Sequence, residues 1–182
     1  MIAAWDIEEG FPVYFRLVTA DLEDASFLKE ALNEINSFGI KIDELVVDGG
    51  YHSAAGIRKL NEFKIPFILR TPNNGKLYKE LVTRHLPDET KSAGPLRCLK
   101  RDFILEVVGK KRSNLRAYVV TDVEKKNREI MKHLIEEGEL ELNFLAKEDE
   151  YKLKTAGVFV LISNADLSAE EVISAYRRRR RG

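Results

Sequence analysis

The sequence predicts an α/β fold, on three observations. Short apolar, β-branched runs, ELVVD at 44–48, PFILR at 66–70 and VFVLIS at 158–163, read as buried strands. Segments with apolar residues at helical spacing fall between them, and Gly, Pro and Asn mark the joints. The 182 residues, 44% hydrophobic and 33% charged, suffice for one sizeable core, or one core with a small appended subdomain.

Taken in order, residues 2–7 and 11–18, rich in aromatic and β-branched residues around the turn EEG, predict an antiparallel hairpin, with Pro12 at a strand start or edge. From Asp24, an expected N-cap, the residues Phe27, Leu28, Leu32, Ile35 and Phe38 recur at helical spacing until Gly39. The strand ELVVD, the turn GGYH, a helix from about Ser53 with Ile57, Leu60 and Phe63 inward, and the strand PFILR complete a β-α-β-α-β progression. Residues 71–94 are polar and turn-rich and read as a linker into an insertion. In the insertion, 102–109 and 116–122 predict a second hairpin around the basic loop KKRSN, followed by a helix containing Ile130, Met131, Leu134 and Ile135, with Gly138 as its C-cap. After the strand 158–163, Ser168 and Glu171 form a capping-box pattern, and Leu167 with Val172 a hydrophobic staple, that open a last helix.

Composition narrows the function. The longest apolar runs, such as GVFVLI, are far too short to span a membrane, and no signal-like segment opens the chain, so the expected location is cytoplasmic, with no membrane partner. One cysteine, Cys98, excludes an internal disulfide framework or a Cys-based zinc cluster within the chain. His52, His85 and His133 lack metal-type spacing and read as surface or structural residues. Net charge is zero but uneven: residues 1–70 hold 7 Lys+Arg against 12 Asp+Glu, the rest 23 against 18, ending in Arg177 to Arg181. An acidic front suits divalent cations, and the arginine run could meet a polyanion. The plainer alternative for that run is a solvated helix end complementing the helix dipole.

The strongest candidate for chemistry is Asp48, which an apolar strand delivers to a Gly-Gly turn opening a helix. The carboxyl end of a buried strand faces the crevice where α/β sheets bind ligands, although Asp before Gly is also ordinary turn chemistry. Strand, Asp-Gly-Gly-Tyr, Ser-capped helix and Ile-Pro-Phe-Ile-Leu-Arg together resemble the second catalytic-acid region of DDE transposases of the insertion-sequence-four family. Tyr176 and Arg179 fit the first two members of that family's Tyr-x-x-Arg-x-x-x-Glu signature, whose glutamate would fall one residue past Gly182. Positions i, i+3 and i+7 share a helix face and would point into one cleft. The front segment WDIEEGFPVYFRLVTADLEDASFL resembles the family's Gly-x-Pro strand, but Asp6 does not match the first acid, which stays unassigned.

The resemblance implies an RNase H-like core, incomplete here: a mixed sheet flanked by helices, with a mostly β insertion before the last helix. It implies three parts: 1–72 the first part of the core, 73–155 the insertion with hairpin and helix, and 156–182 the final strand and signature helix. It further implies DNA, specifically transposon ends, as partner; Asp48 as second acid and metal ligand; and Tyr176, Arg177, Arg179 and Arg180 as DNA-binding residues. Mg²⁺ or Mn²⁺ would be the cofactor. One carboxylate of the three binds Mg²⁺ weakly or not at all, so the chain is expected to be catalytically incomplete, a fragment or remnant. Without the family's first strand, an exposed sheet edge is expected to rearrange or to pair in a homodimer. Two other readings stand beside this one: a non-catalytic DNA-binding or regulatory protein derived from a transposase, and an unrelated interaction domain.

Overall fold

The computed structural model describes residues 2–6, 9, 12–16, 24–47, 49–86, 96–107, 111–136 and 147–178. Asp48, Gly138, Arg179, Arg180 and Arg181 lie outside these residues. The first two strands, β1 (Ile2–Trp5) and β2 (Pro12–Arg16), pair antiparallel as a sheet of their own. In the turn between them the Asp6 carboxylate accepts from the backbone N–H of Glu9 at 3.0 Å. The buried Tyr14 fastens this hairpin to helix α1 (Asp24–Ser37): it packs in one cluster with Ala31 and Ile35, and its hydroxyl donates to Glu34 Oε2 at 2.6 Å.

The main sheet has five strands, in the order β3 (Leu45–Val47), β4 (Phe67–Arg70), β7 (Val158–Ser163), β6 (Lys111–Asp122) and β5 (Leu96–Val107). β3 runs parallel to β4, and every other pair is antiparallel, so the sheet is mixed, as expected. β7 lies in the middle, with Ile162 opposite Leu69 on one side and Ala117 on the other. The segment read as an insertion therefore hydrogen-bonds into the core sheet through β7.

Period-2 alternation sorts the strands onto two faces. Phe67, Leu69, Leu115, Ala117, Val119, Val160 and Ile162 face a cluster completed by Leu28 and Leu32 of α1, Ile57 and Leu60 of α2 (Ala54–Glu62) and Tyr78, Leu81 and Val82 of α3 (Lys76–His85). Ile68, Tyr118, Val120 and Leu161 face the other way, against Val172, Ala175 and Tyr176 of α6 (Ala169–Arg178). Each fully buried aliphatic side chain contributes about 1.5–3 kcal/mol. Asn164, just after β7, ties the end of that strand to the start of β4: its Oδ1 accepts from Phe67 N at 2.9 Å and its Nδ2 donates to Ile65 O at 3.2 Å. None of the helices among the described residues is long and apolar enough to cross a membrane.

Two expectations need correction. Residues 76–85, read as linker, form α3, because Tyr78, Leu81 and Val82 make an apolar face, only three residues wide, that the sheet buries. The Tyr78 hydroxyl donates to Val158 O at 3.1 Å, and burial pushes its pKa up to about 12. The second hairpin is also longer than predicted, and Lys111 to Asn114 of the expected basic loop belong to β6. An unbroken ladder from Leu96↔Asp122 to Val107↔Lys111 carries these polar residues in strand, a backbone effect that composition does not report. A further helix, α5 (Lys147–Thr155), was not anticipated, whereas α4 (Val123–Glu136) contains the four predicted apolar residues.

The junction of β6, α4 and β7 closes at Gly157, with φ +68°. Asp122 N donates to Gly157 O at 3.0 Å and Gly157 N to Glu129 Oε2 at 2.6 Å. A Cβ there would collide with Asp122 O and lie 2.6 Å from Lys126 N. Gly157→Ala is therefore expected to lower unfolding stability by at least about 2 kcal/mol in urea titrations. A loss within about 0.5 kcal/mol would show that the junction relaxes.

Candidate functional site

The parallel pair ends side by side. Val47 is opposite Leu69, so the chain leaves β3 into a 3₁₀ turn, Gly49–Tyr51, beside the point where β4 ends at Arg70. A Cβ on Gly49 would stand 3.4 Å from the Arg70 carbonyl oxygen, an ordinary contact. Asp48 is joined covalently to both Val47 and Gly49. The tight approach falls further on: Gly56 lies where a Cβ would collide with Tyr51 O. Here Gly56 N donates to Ser53 Oγ at 2.9 Å, which makes Ser53 the N-cap of α2. Gly56 thus presses the turn onto the helix start.

Across the sheet, the start of α6 matches its sequence pattern. Ser168 N donates to Glu171 Oε2 at 2.7 Å and Glu171 N to Ser168 Oγ at 3.2 Å, the two halves of a capping box. The Leu167 carbonyl is fixed by the Tyr118 hydroxyl at 2.8 Å, and Arg116 pairs with Asp166 at 3.1 Å. So anchored, α6 delivers Tyr176, 5% exposed, under the end of β4. Its hydroxyl accepts from Arg70 Nη1 at 3.2 Å, and its ring stacks on Phe159 with centroids 5.6 Å apart. Arg70 Cζ stands 5.8 Å from the Phe159 ring centre.

Of the sequence-predicted site residues, Tyr176 and Arg177 are thus described. Tyr176 is buried and Arg177 is exposed in the last turn of α6. Asp48, Arg179 and Arg180 lie outside the described residues. Sequence reasoning missed Arg70. Its signal was the charged residue that closes the apolar strand PFILR as Asp48 closes ELVVD. Glu44 was also missed. It shares a shallow groove with Glu170, Glu171, Ser174 and Arg178, where burial raises its pKa, Arg178 opposes that shift and Glu171 adds to it.

Among the described residues no three His, Cys, Asp or Glu side chains come together in a way that could hold a metal ion, so these residues by themselves do not fit one. Cys98 behaves as a packing residue, since burial pushes its thiol up to about 11. The family model described as "Transposase DDE domain" matches residues 1–181. No curated protein and no solved structure matches the chain.

His52 follows the turn directly. Its Nε2 is buried with no hydrogen-bond partner among the described residues, and burial lowers its pKa, with a hydrogen bond to its own backbone opposing. The unfolded chain takes up the proton below about pH 6.5 while the folded chain resists it, so stability present above 6.5 is lost as pH falls through the lowered folded value. His52→Gln is expected to lose less stability than the unaltered protein between about pH 7.5 and about pH 5 in urea titrations. An equal loss in both would remove His52 as the coupled group.

Proposed function

Because the chain belongs to the transposase DDE domain family, we propose that it acts on DNA as a transposase-like protein, with Asp48 as the second of the family's three metal-binding acids. The match over residues 1–181 carries this reading and excludes an unrelated interaction domain. The geometry around Asp48 supports it. The flanking residues Val47 and Gly49 belong to the carboxyl end of the parallel pair, where α/β sheets receive ligands, and the backbone of Arg70, at the end of β4, lies beside Gly49.

The family generally uses divalent metal ions. When bound, such an ion stabilises charge on the attacking and leaving oxygens of a phosphodiester. Asp48 is the residue of this chain proposed to hold it. By motif, residues 1–182 contain that one acid of three, and one carboxylate binds Mg²⁺ weakly, so the polypeptide on its own is proposed to bind DNA without cleaving it. DNA contact falls to Arg177, Arg179 and Arg180, and the buried Tyr176 supports that contact from within. A homodimer formed along the free edge of β3, which has one hydrogen-bonded neighbour among the described residues, belongs to the same proposal.

Purified protein is expected to shift labelled duplex DNA in a salt-dependent way. Replacing Arg177 to Arg181 with glutamine should weaken that binding by at least about tenfold at low salt and flatten its salt dependence. No binding by the unaltered protein would overturn the DNA reading. Mg²⁺-dependent nicking that Asp48→Ala abolishes would overturn only the proposed lack of cleavage. A protein that stays monomeric in light scattering at every concentration would remove the dimer.

A further inference from the structure

We propose that Arg70 is a substrate-contacting residue whose guanidinium receives a DNA phosphate at the carboxyl end of the β3–β4 pair, with Tyr176 and Phe159 as its positioning residues. The proposal rests on the DNA reading above and assigns a residue that the signature motif does not contain.

Three observations carry it. Arg70 ends β4, and its carbonyl oxygen stands 3.4 Å from where a Cβ on Gly49 would lie, so it adjoins the turn Gly49–Tyr51 at the carboxyl end of the parallel pair. Its side chain is half-buried, yet no carboxylate pairs with it among the described residues, whereas Arg84 and Arg116 each have one at 3.1 Å. A partly desolvated cation without an anion is costly, and a bound phosphate would remove that cost.

The partners Arg70 does have are neutral. The Tyr176 hydroxyl at 3.2 Å takes one N–H, and the Phe159 ring lies 5.8 Å from Cζ. Both orient the guanidinium without cancelling its charge. Four of its five N–H donors remain, in a planar fork that suits bidentate phosphate binding. Tyr176 itself is too buried to meet DNA directly, being 5% exposed. Its hydroxyl acts on substrate through Arg70. The groove near Glu44 cannot play this part, because Glu44, Glu170 and Glu171 there outnumber Arg178 and would repel a phosphate.

The test is the affinity for a fluorescein-labelled DNA duplex, followed by anisotropy across a salt series, with thermal melts run alongside. Arg70→Gln is expected to weaken binding about tenfold at low salt and to reduce the slope of log K against log salt by about one. Arg70→Lys, a point charge in place of a fork, should restore the slope and recover part of the affinity. Tyr176→Phe keeps the ring and deletes the hydroxyl. It should weaken binding about three-fold with the melting temperature little changed, which a purely structural tyrosine would not do. Unaltered affinity and slope in Arg70→Gln, beside normal binding by the parent protein, would overturn this inference and leave the DNA reading intact. If Arg70→Gln does not fold, unaltered binding by Tyr176→Phe overturns it instead. Absence of binding by the parent protein would overturn both.

Discussion

The rest of the structure depends on the burial of β7, Val158–Ser163, between β4 and β6. Five of its six residues are buried, and its backbone groups pair with two antiparallel neighbours. A strand so placed must be apolar on both faces, which is why VFVLIS shows no alternation. It also joins parts of the chain far apart in sequence, since Leu69 and Ala117 meet across Ile162. Without β7 the parallel pair and the long hairpin would each be two-stranded and poorly stable alone.

Because successive side chains of β7 point to opposite faces, the strand also distributes the helices. Val160 and Ile162 look toward α1, α2 and α3, while Leu161 and the partly buried Phe159 look toward α6. Phe159 is the point where packing becomes site geometry. Its ring belongs to the α6 cluster, stacks on Tyr176 and also underlies Arg70. A core strand, a capped helix and the end of a parallel strand thereby converge on one guanidinium. Tyr118, from β6, holds the Leu167 carbonyl before α6 begins, so the long hairpin helps set the height of Tyr176.

Local patterns were legible in the sequence, and pairings between distant segments were not. The bounds of β7 and the capping box at Ser168 and Glu171 depend on residues a few positions apart, and the structure reproduces them. α3 escaped notice because Pro72, Asn73, Asn74 and Gly75 advertise a turn and its apolar face is narrow. β5 and β6 were read short because their outer ends are held by backbone pairing, with no apolar pattern of their own. In the site, the capping pattern put Tyr176 on the last helix. Its partner Arg70, 106 residues earlier, could be found only once β4 and α6 were seen to meet.

The charge pattern shows the same difference between sum and arrangement. A net charge of zero, with an acidic front and a basic back, suggests divalent cations at one end and a polyanion at the other. Folding does not keep that division. Glu44 of the acidic front shares a groove with Arg178 of the basic tail, beside Glu171, so that cation is partly compensated. Arg70, also from the acidic front, instead has an aromatic ring and a tyrosine hydroxyl around it and no carboxylate among the described residues. Attraction for a phosphate depends on how well each cation is matched locally, since exposed charges more than about 10 Å away are screened at ordinary salt. By that measure Arg70, a residue of the acidic front, is less compensated than Arg178 of the basic tail.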